Sequence, residues 1–274
     1  MTTDYGKYWD DICIQTQDFL QDNGCKDVVI GLSGGIDSSV VAAIAVDTLG
    51  PEHTHGVLMP GPHSTPGSVD DASELARRLD IDTVTLSIDD AYMSFVELSD
   101  DTIGTRGSDI ALQNLQARLR MVWLMHLSNT YGWFVLNTGN KSEAAMGYST
   151  LYGDTCGAFA PIGNVYKTDV YKLAKWRNAS AAETGDTEPI PQTVLDKAPS
   201  AELYDGQRDV DNLPPYDILD DALRAYFSNE DVSSVAPDAA NAKAQIARMV
   251  RSASYKRAVE PPGAVIDGFA EPIA

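Results

Sequence analysis

Ser33, Asp37, Ser38 and Ser39 stand within one short run, interrupted by Gly34, Gly35 and Ile36 and preceded by Val28-Val29-Ile30-Gly31-Leu32. Three hydroxyls at this spacing donate hydrogen bonds. The paired glycines, lacking Cβ atoms, let the backbone approach an anion closely. A helix opening near Ser38 turns unpaired N–H groups and a positive dipole end back into the loop. The chemistry that suits such a cradle is the holding of phosphate oxygens. Asp37 fits an anion site if it binds a divalent cation shared with the phosphates. The run has no Gly-Lys-Ser/Thr ending and so is not a Walker loop.

Such a cradle needs a buried strand before it and a helix after it. The strand is Val28 to Leu32, apolar throughout, as expected where both faces are covered. The helix runs through Val40, Val41, Ala43, Ile44 and Val46 to Gly50-Pro51. Further strands are expected over His55–Met59, Thr83–Ile88 and Gly132–Thr138. Helices are expected over Tyr5–Asn23, Val69–Leu79, Ile110–Tyr131, Thr168–Asn178, Tyr216–Phe227 and Ala236–Ser252. The strand–helix alternation predicts an α/β fold with a parallel sheet and right-handed crossovers. Asp100 to Asp109 reads as a mobile loop, Met146 to Gly163 as irregular, and Glu188 to Pro215 as extended. Residues 259–274 read as a flexible tail.

The chain has 274 residues, 43% of them hydrophobic, enough for a substantial core. Its formal net charge of −20 argues against nucleic acid and anionic membranes as partners. Anionic substrates must then be drawn in by a local cluster of cations, amides and metal. Cys13, Cys25 and Cys156 are too few and scattered for a disulfide framework or a zinc site. His53 and His55 would share one strand face, but the histidines lack metal-ligand spacing. No signal peptide or membrane span is visible, so a soluble, cytoplasmic protein is expected.

The run Ser33-Gly34-Gly35-Ile36-Asp37-Ser38 resembles the pyrophosphate loop of the N-type ATP pyrophosphatases. Other segments follow in order: Asn114-Leu115-Gln116-Ala117-Arg118, Asn137-Thr138-Gly139-Asn140-Lys141-Ser142-Glu143, Gly147-Tyr148-Ser149-Thr150-Leu151-Tyr152-Gly153-Asp154, Pro161-Ile162-Gly163-Asn164-Val165-Tyr166-Lys167-Thr168, Pro199-Ser200-Ala201-Glu202-Leu203 and Ser254-Tyr255-Lys256-Arg257. Together they resemble the NAD+ synthetases over nearly the whole chain.

That resemblance implies a Rossmann-like parallel sheet, of the adenine nucleotide alpha hydrolase type, with helices on both faces and one synthetase domain over residues 1–274. It implies ATP-dependent amidation of nicotinic acid adenine dinucleotide, with release of AMP and pyrophosphate. Ser33, Gly34, Gly35, Ile36, Ser38 and Ser39 would hold phosphates, and Asp37 would hold Mg2+. Lys167 matches a lysine that reaches the ATP phosphates; Thr138 and Ser200 match ATP-contacting positions. Asn114, Arg118 and Lys256 match positions contacting the dinucleotide. Glu143 matches a glutamate that binds either a second Mg2+ or the substrate. Members are usually homodimers; the first helix and Ile110–Tyr131 are the expected interface.

The ammonia-using members usually carry lysine where Leu151 stands and aspartate near Ala158, so Asp154 is expected to take one of those roles. The wording here is closer to the synthetase portion of glutamine-dependent enzymes, which add an N-terminal glutaminase. Some 27 residues precede the first strand, too few for one. Ammonia is therefore the expected nitrogen donor, with a separate glutaminase or a catalytically silent ATP-binding module as alternatives.

Overall fold

The computed structural model describes residues 3–228 and 239–273. In it the apolar run after Asp27 forms β1 (Val28–Gly31) at the heart of a four-stranded parallel sheet. With β2 (Thr54–Leu58), β3 (Thr83–Thr85) and β4 (Phe134–Val135) the order is β3-β2-β1-β4. Val29 pairs with His55 on one side and Val135 on the other. Successive strands thus step one way from β1, and β4 returns to its other side. The crevice beyond the carboxyl ends of β1 and β4 is the switch point where open α/β sheets bind ligands.

Alternation along β1 assigns the layers. Val28 and Ile30 join the core built with α1 (Tyr5–Asp22), α2 (Ile36–Leu49), α3 (Pro66–Leu79) and the helix Lys167–Thr184, while Val29 faces Met121 and Leu124 of the helix Asp109–Tyr131. Helices cover both faces, as the resemblance implies. Val40 through Ala45 are fully buried, so α2 is apolar all round and packs between sheet and helices. Arg177 donates from Nε and a terminal nitrogen to Asp47, tying Lys167–Thr184 to α2.

Several expectations are corrected. Asp100–Asp109 is not one loop, because α4 (Asp89–Ile103) runs into it and ends at Gly104, φ +72°. Only Tyr92 and Val96 of α4 are buried, so no apolar stripe announced it. α5 (Asp109–Tyr131) follows. α6 (Lys141–Met146) lies between the fourth strand and the irregular segment, where no helix was expected. α7 (Lys167–Thr184) is longer than Thr168–Asn178, and α8 (Gln192–Asp196) interrupts the extended segment. α9 (Tyr216–Phe227) has its expected bounds. α10 (Ala239–Ser252) is followed by α11 (Ser254–Arg257); the expected start at Ala236 lies outside the described residues.

Residues 259–273 do not form a flexible tail. Ala264 and Ala270 are fully buried, and Phe269 stacks on Tyr8 with ring centroids 4.0 Å apart. The Gln15 amide holds both backbone groups of Val265, donating to its carbonyl (2.9 Å) and accepting from its N–H (2.8 Å). These partners lie 250 residues away, out of reach of local reading. The cysteines are all unpaired, and burial pushes the Cys13 thiol up to about 12. His53 and His55 converge on Asp27, at 3.0 and 3.5 Å, with no metal-binding cluster among the described residues.

Candidate active site

β1 ends at Gly31, and the chain turns through Ser33–Gly35 into α2. Gly34 takes a left-handed φ of +73°, and a Cβ there would fall 2.1 Å from the Ser68 carbonyl oxygen. Only glycine satisfies both the conformation and the contact. Ser33 Oγ and Ser38 Oγ lie 3.0 Å apart, and Gly35 N–H donates to Ser33 Oγ (3.2 Å). Exposed Ser33, half-buried Gly35 and buried Ser38 line a cavity of about 360 Å3 at the switch point. Gly34 packs instead on Ser68, and Ser39 is buried with its hydroxyl donating to the Gly35 carbonyl (2.8 Å). Neither lines the cavity; both shape the turn.

Asp37, Glu143 and Lys167 come from three elements and meet at one point. Lys167 Nζ donates to Asp37 Oδ2 and to Glu143 Oε1, the latter at 3.1 Å. Asn140 organises the junction. Its Oδ1 caps α6 by accepting the Glu143 N–H (3.0 Å), and its Nδ2 donates to Asp37 Oδ1 (3.0 Å). Lys167 is fixed from behind. Its N–H donates to Ser142 Oγ (3.0 Å), Ser142 donates to Asp220 Oδ1 (2.5 Å), and Thr168 N–H donates to Asp220 Oδ2 (2.8 Å).

The electrostatics follow from burial. Lys167 is 3% exposed. Burial alone would lower its pKa, but the charges of Asp37 and Glu143 more than offset this and hold it well above the ordinary range. Burial pushes Glu143 up to about 7, although Lys167 pulls it back. Asp209 is a further buried carboxylate of the cavity wall. Its Oδ2 accepts from Tyr216 OH (2.8 Å), its Oδ1 has no partner, and burial raises its pKa. Asp209 was missed because no local motif links it to the loop.

Thr138 and Ser200 line the cavity. Asn114, Arg118 and Lys256 do not; they hold the turn 147–154 at its edge. Asn114 Oδ1 accepts from Thr150 Oγ1 (2.9 Å), Arg118 Nε donates to the Leu151 carbonyl (3.0 Å), and Lys256 Nζ donates to the carbonyls of Gly147 (2.7 Å) and Ser149 (2.5 Å). That turn presents Tyr148, Ser149 and Asp154 to the cavity, whereas Leu151 and Ala158 are not in its wall. Burial raises Asp154 to about 6, opposed by the Thr150 N–H and by Lys256 and Arg118.

Asp37 and Glu143 share one ammonium, so both present hard oxygens to a single point. Mg2+ usually takes one or two carboxylates plus substrate phosphates and water. This pair beside a phosphate cradle fits that requirement, with Asp209 behind it.

The chain matches the family model described as NAD synthase over residues 8–260. It is 46% identical over 245 residues to the glutamine-dependent NAD(+) synthetase of Thermotoga maritima, covering 88% of this chain and 42% of that protein. The chain spans less than half the length of that protein and of other glutamine-dependent NAD(+) synthetases that it matches. Among solved structures it resembles the NMN synthetase of Francisella tularensis (31% identity, TM-score 0.78, 93% of this chain and 96% of that one). It also resembles the NH3-dependent NAD synthetase of Campylobacter jejuni (28% identity, TM-score 0.75, again 93% and 96%).

Proposed function

Because the chain belongs to the NAD synthase family, we propose that it amidates the nicotinate carboxylate of nicotinic acid adenine dinucleotide with ammonia, at the expense of ATP cleaved to AMP and pyrophosphate. The observation that carries this reading is the meeting of Asp37, Glu143 and Lys167 beside Ser33, Gly35 and Ser38 in one cavity. The relatives' glutamine dependence leaves a separate glutaminase as the alternative supply, and activity with glutamine only when a partner is added would favour it.

The carboxylate is already ionised at neutral pH and needs no base to attack the α-phosphorus. The Pα–O bond to the β-phosphate breaks, and its electron pair leaves with pyrophosphate. Ammonia then adds to the acyl carbon, AMP departs with the acyl C–O electron pair, and the nitrogen sheds a proton. Catalysis is chiefly positioning and charge stabilisation. Ser33, Gly35 and Ser38 donate to the β and γ phosphates, Lys167 faces the phosphate chain, and Thr138 and Ser200 position the nucleotide. Asp37 and Glu143 would hold Mg2+, which when bound would supply neutralising charge to the phosphates. Asn114, Arg118 and Lys256 act through the turn 147–154, which supports the dinucleotide, with Asp154 facing it.

The test is stoichiometry: one AMP and one pyrophosphate per amide formed from ATP, Mg2+, ammonium and the dinucleotide. The likeness to an NMN synthetase makes nicotinic acid mononucleotide the necessary comparison. A higher kcat/KM for the mononucleotide would move the assignment to it.

Glu143 gives the reaction a pH signature. Its carboxyl is raised to about 7, so acid removes a metal ligand near neutrality. Metal binds the ionised form and competes with the proton. The acid limb of kcat/KM for ATP should lie near neutrality at low Mg2+ and move to lower pH as Mg2+ is increased. Glu143→Gln should abolish that movement. A limb indifferent to Mg2+ would remove Glu143 from the metal site.

The expected homodimer is also proposed. α1 buries Trp9, Ile12 and Leu20, so of the two helices named from sequence α5 exposes more large apolar side chains. Ile110, Val122 and Tyr131 of α5 are each more than 60% exposed, as are Leu98 and Ile103 of α4. This pair suits an isologous interface with a second copy. Light scattering on the eluting chain should give twice the monomer mass, and Val122→Glu should halve it; a monomeric wild type would contradict the interface.

A further inference from the structure

Three cations line the cavity among the described residues: Arg120, Lys167 and Lys197. Two are committed. Lys167 is neutralised by Asp37 and Glu143. Arg120 donates to the Met59 carbonyl (3.0 Å) and reaches Ser64 Oγ (3.4 Å). Lys197 is held differently. Its Nζ donates to the Ser68 hydroxyl and makes longer ion pairs with Asp71 and Glu202, at 3.6 and 3.7 Å.

Ser68 is the residue whose carbonyl presses on Gly34. The Lys197 ammonium is therefore placed beside the phosphate loop. Glu202 fastens the same region. It accepts from Thr65 N–H (3.2 Å), Thr65 Oγ1 (3.0 Å) and Ser68 Oγ (2.5 Å), and it does so with a left-handed φ of +48°. A glutamate rarely adopts that conformation without such bonds to hold it. Lys197, Ser68 and Glu202 all line the cavity.

We propose that Lys197 is a second phosphate-binding cation, which exchanges its Ser68 and Glu202 partners for the departing pyrophosphate. The proposal rests on the reading above that ATP is cleaved between its α and β phosphates. As that bond breaks, the electron pair passes to the oxygen leaving with the β-phosphate, and negative charge builds on pyrophosphate. Lys167 stabilises part of that charge, but it is held by two close carboxylates, whereas the ion pairs of Lys197 are longer and easier to exchange. In a chain of net charge −20, a loosely held cation beside the loop meets the need. No proton is transferred in this exchange.

The experiment uses inorganic pyrophosphate as product inhibitor, with AMP and the carboxylate substrate as controls, on the wild type, Lys197→Met and Glu202→Gln. Lys197→Met should weaken pyrophosphate inhibition about ten- to hundred-fold, as expected for one charge-assisted hydrogen bond, with both controls within about two-fold. Lys197→Arg should recover part of the loss. Glu202→Gln should tighten pyrophosphate binding, because the competing carboxylate is gone. An unchanged pyrophosphate constant in Lys197→Met would overturn the proposal. So would weaker pyrophosphate binding in Glu202→Gln, or parallel weakening of pyrophosphate, AMP and carboxylate. If the wild type itself catalyses no ATP–pyrophosphate exchange, the functional reading fails instead.

Discussion

Lys167→Met should damage folding and catalysis together. Methionine keeps much of the apolar stem but leaves Asp37 and Glu143 facing each other with no cation between them. Removing one partner of a buried ion pair typically costs about 3–5 kcal/mol, and here two carboxylates share the lost ammonium. The cation–π contact with the Tyr216 ring, 5.2 Å away, goes as well. Urea unfolding should register the loss. Its pH dependence has a distinctive sign. Unpaired buried carboxylates have raised pKa values, so they favour folding less as pH rises above the ordinary carboxylate range. The variant should therefore regain stability relative to wild type on mild acidification. Exchange of pyrophosphate into ATP should fall by about 10²–10³-fold or more, as for removal of one preorganised charge-stabilising group. A variant as stable as wild type at neutral pH would show that the ion pair is not a structural keystone.

Asp37→Asn separates chemistry from folding. The amide still offers an oxygen to Asn140 Nδ2, and Lys167 keeps Glu143 as its counter-ion. Stability should fall by only about 1–2 kcal/mol, the ordinary size of a single substitution that preserves shape. Turnover should fall at least about 10²-fold, because the phosphate-bridging cation loses its charged ligand. Titration with Mn2+, followed by electron paramagnetic resonance, should show weaker binding in the presence of ATP. Retained turnover would refute the metal-binding role of Asp37.

Gly34 and Ser38 were readable in sequence because a turn and its helix are built by covalent neighbours. The buried stripe of β1 was readable for the same reason, since a strand covered on both faces must be apolar at every position. α4 was not, because only Tyr92 and Val96 of its fifteen residues are buried and the rest present an irregular surface. Lys167 entered through resemblance, and what places it is tertiary: Ser142 and Asp220 behind it, Asp37 and Glu143 in front. Asn140 stood in a quoted motif, yet its double duty as helix cap and Asp37 partner depends on β1 and β4 lying side by side. Asp209 and Lys197 had no local signature. They join the cavity only because the chain between α8 and α9 folds across it. Asn114, Arg118 and Lys256, expected from resemblance to contact the dinucleotide, hold one turn at the cavity edge, an arrangement that spacing along a helix does not contain.

Isotopic ammonium follows ATP-driven amidation by this chain from nitrogen source to product. Purified protein given ATP, Mg2+, 15N-ammonium and nicotinic acid adenine dinucleotide should yield NAD+ carrying the label in its carboxamide, with AMP and pyrophosphate in equal amount. Formation of ADP and phosphate, or no consumption of ATP while the dinucleotide is bound, would contradict it.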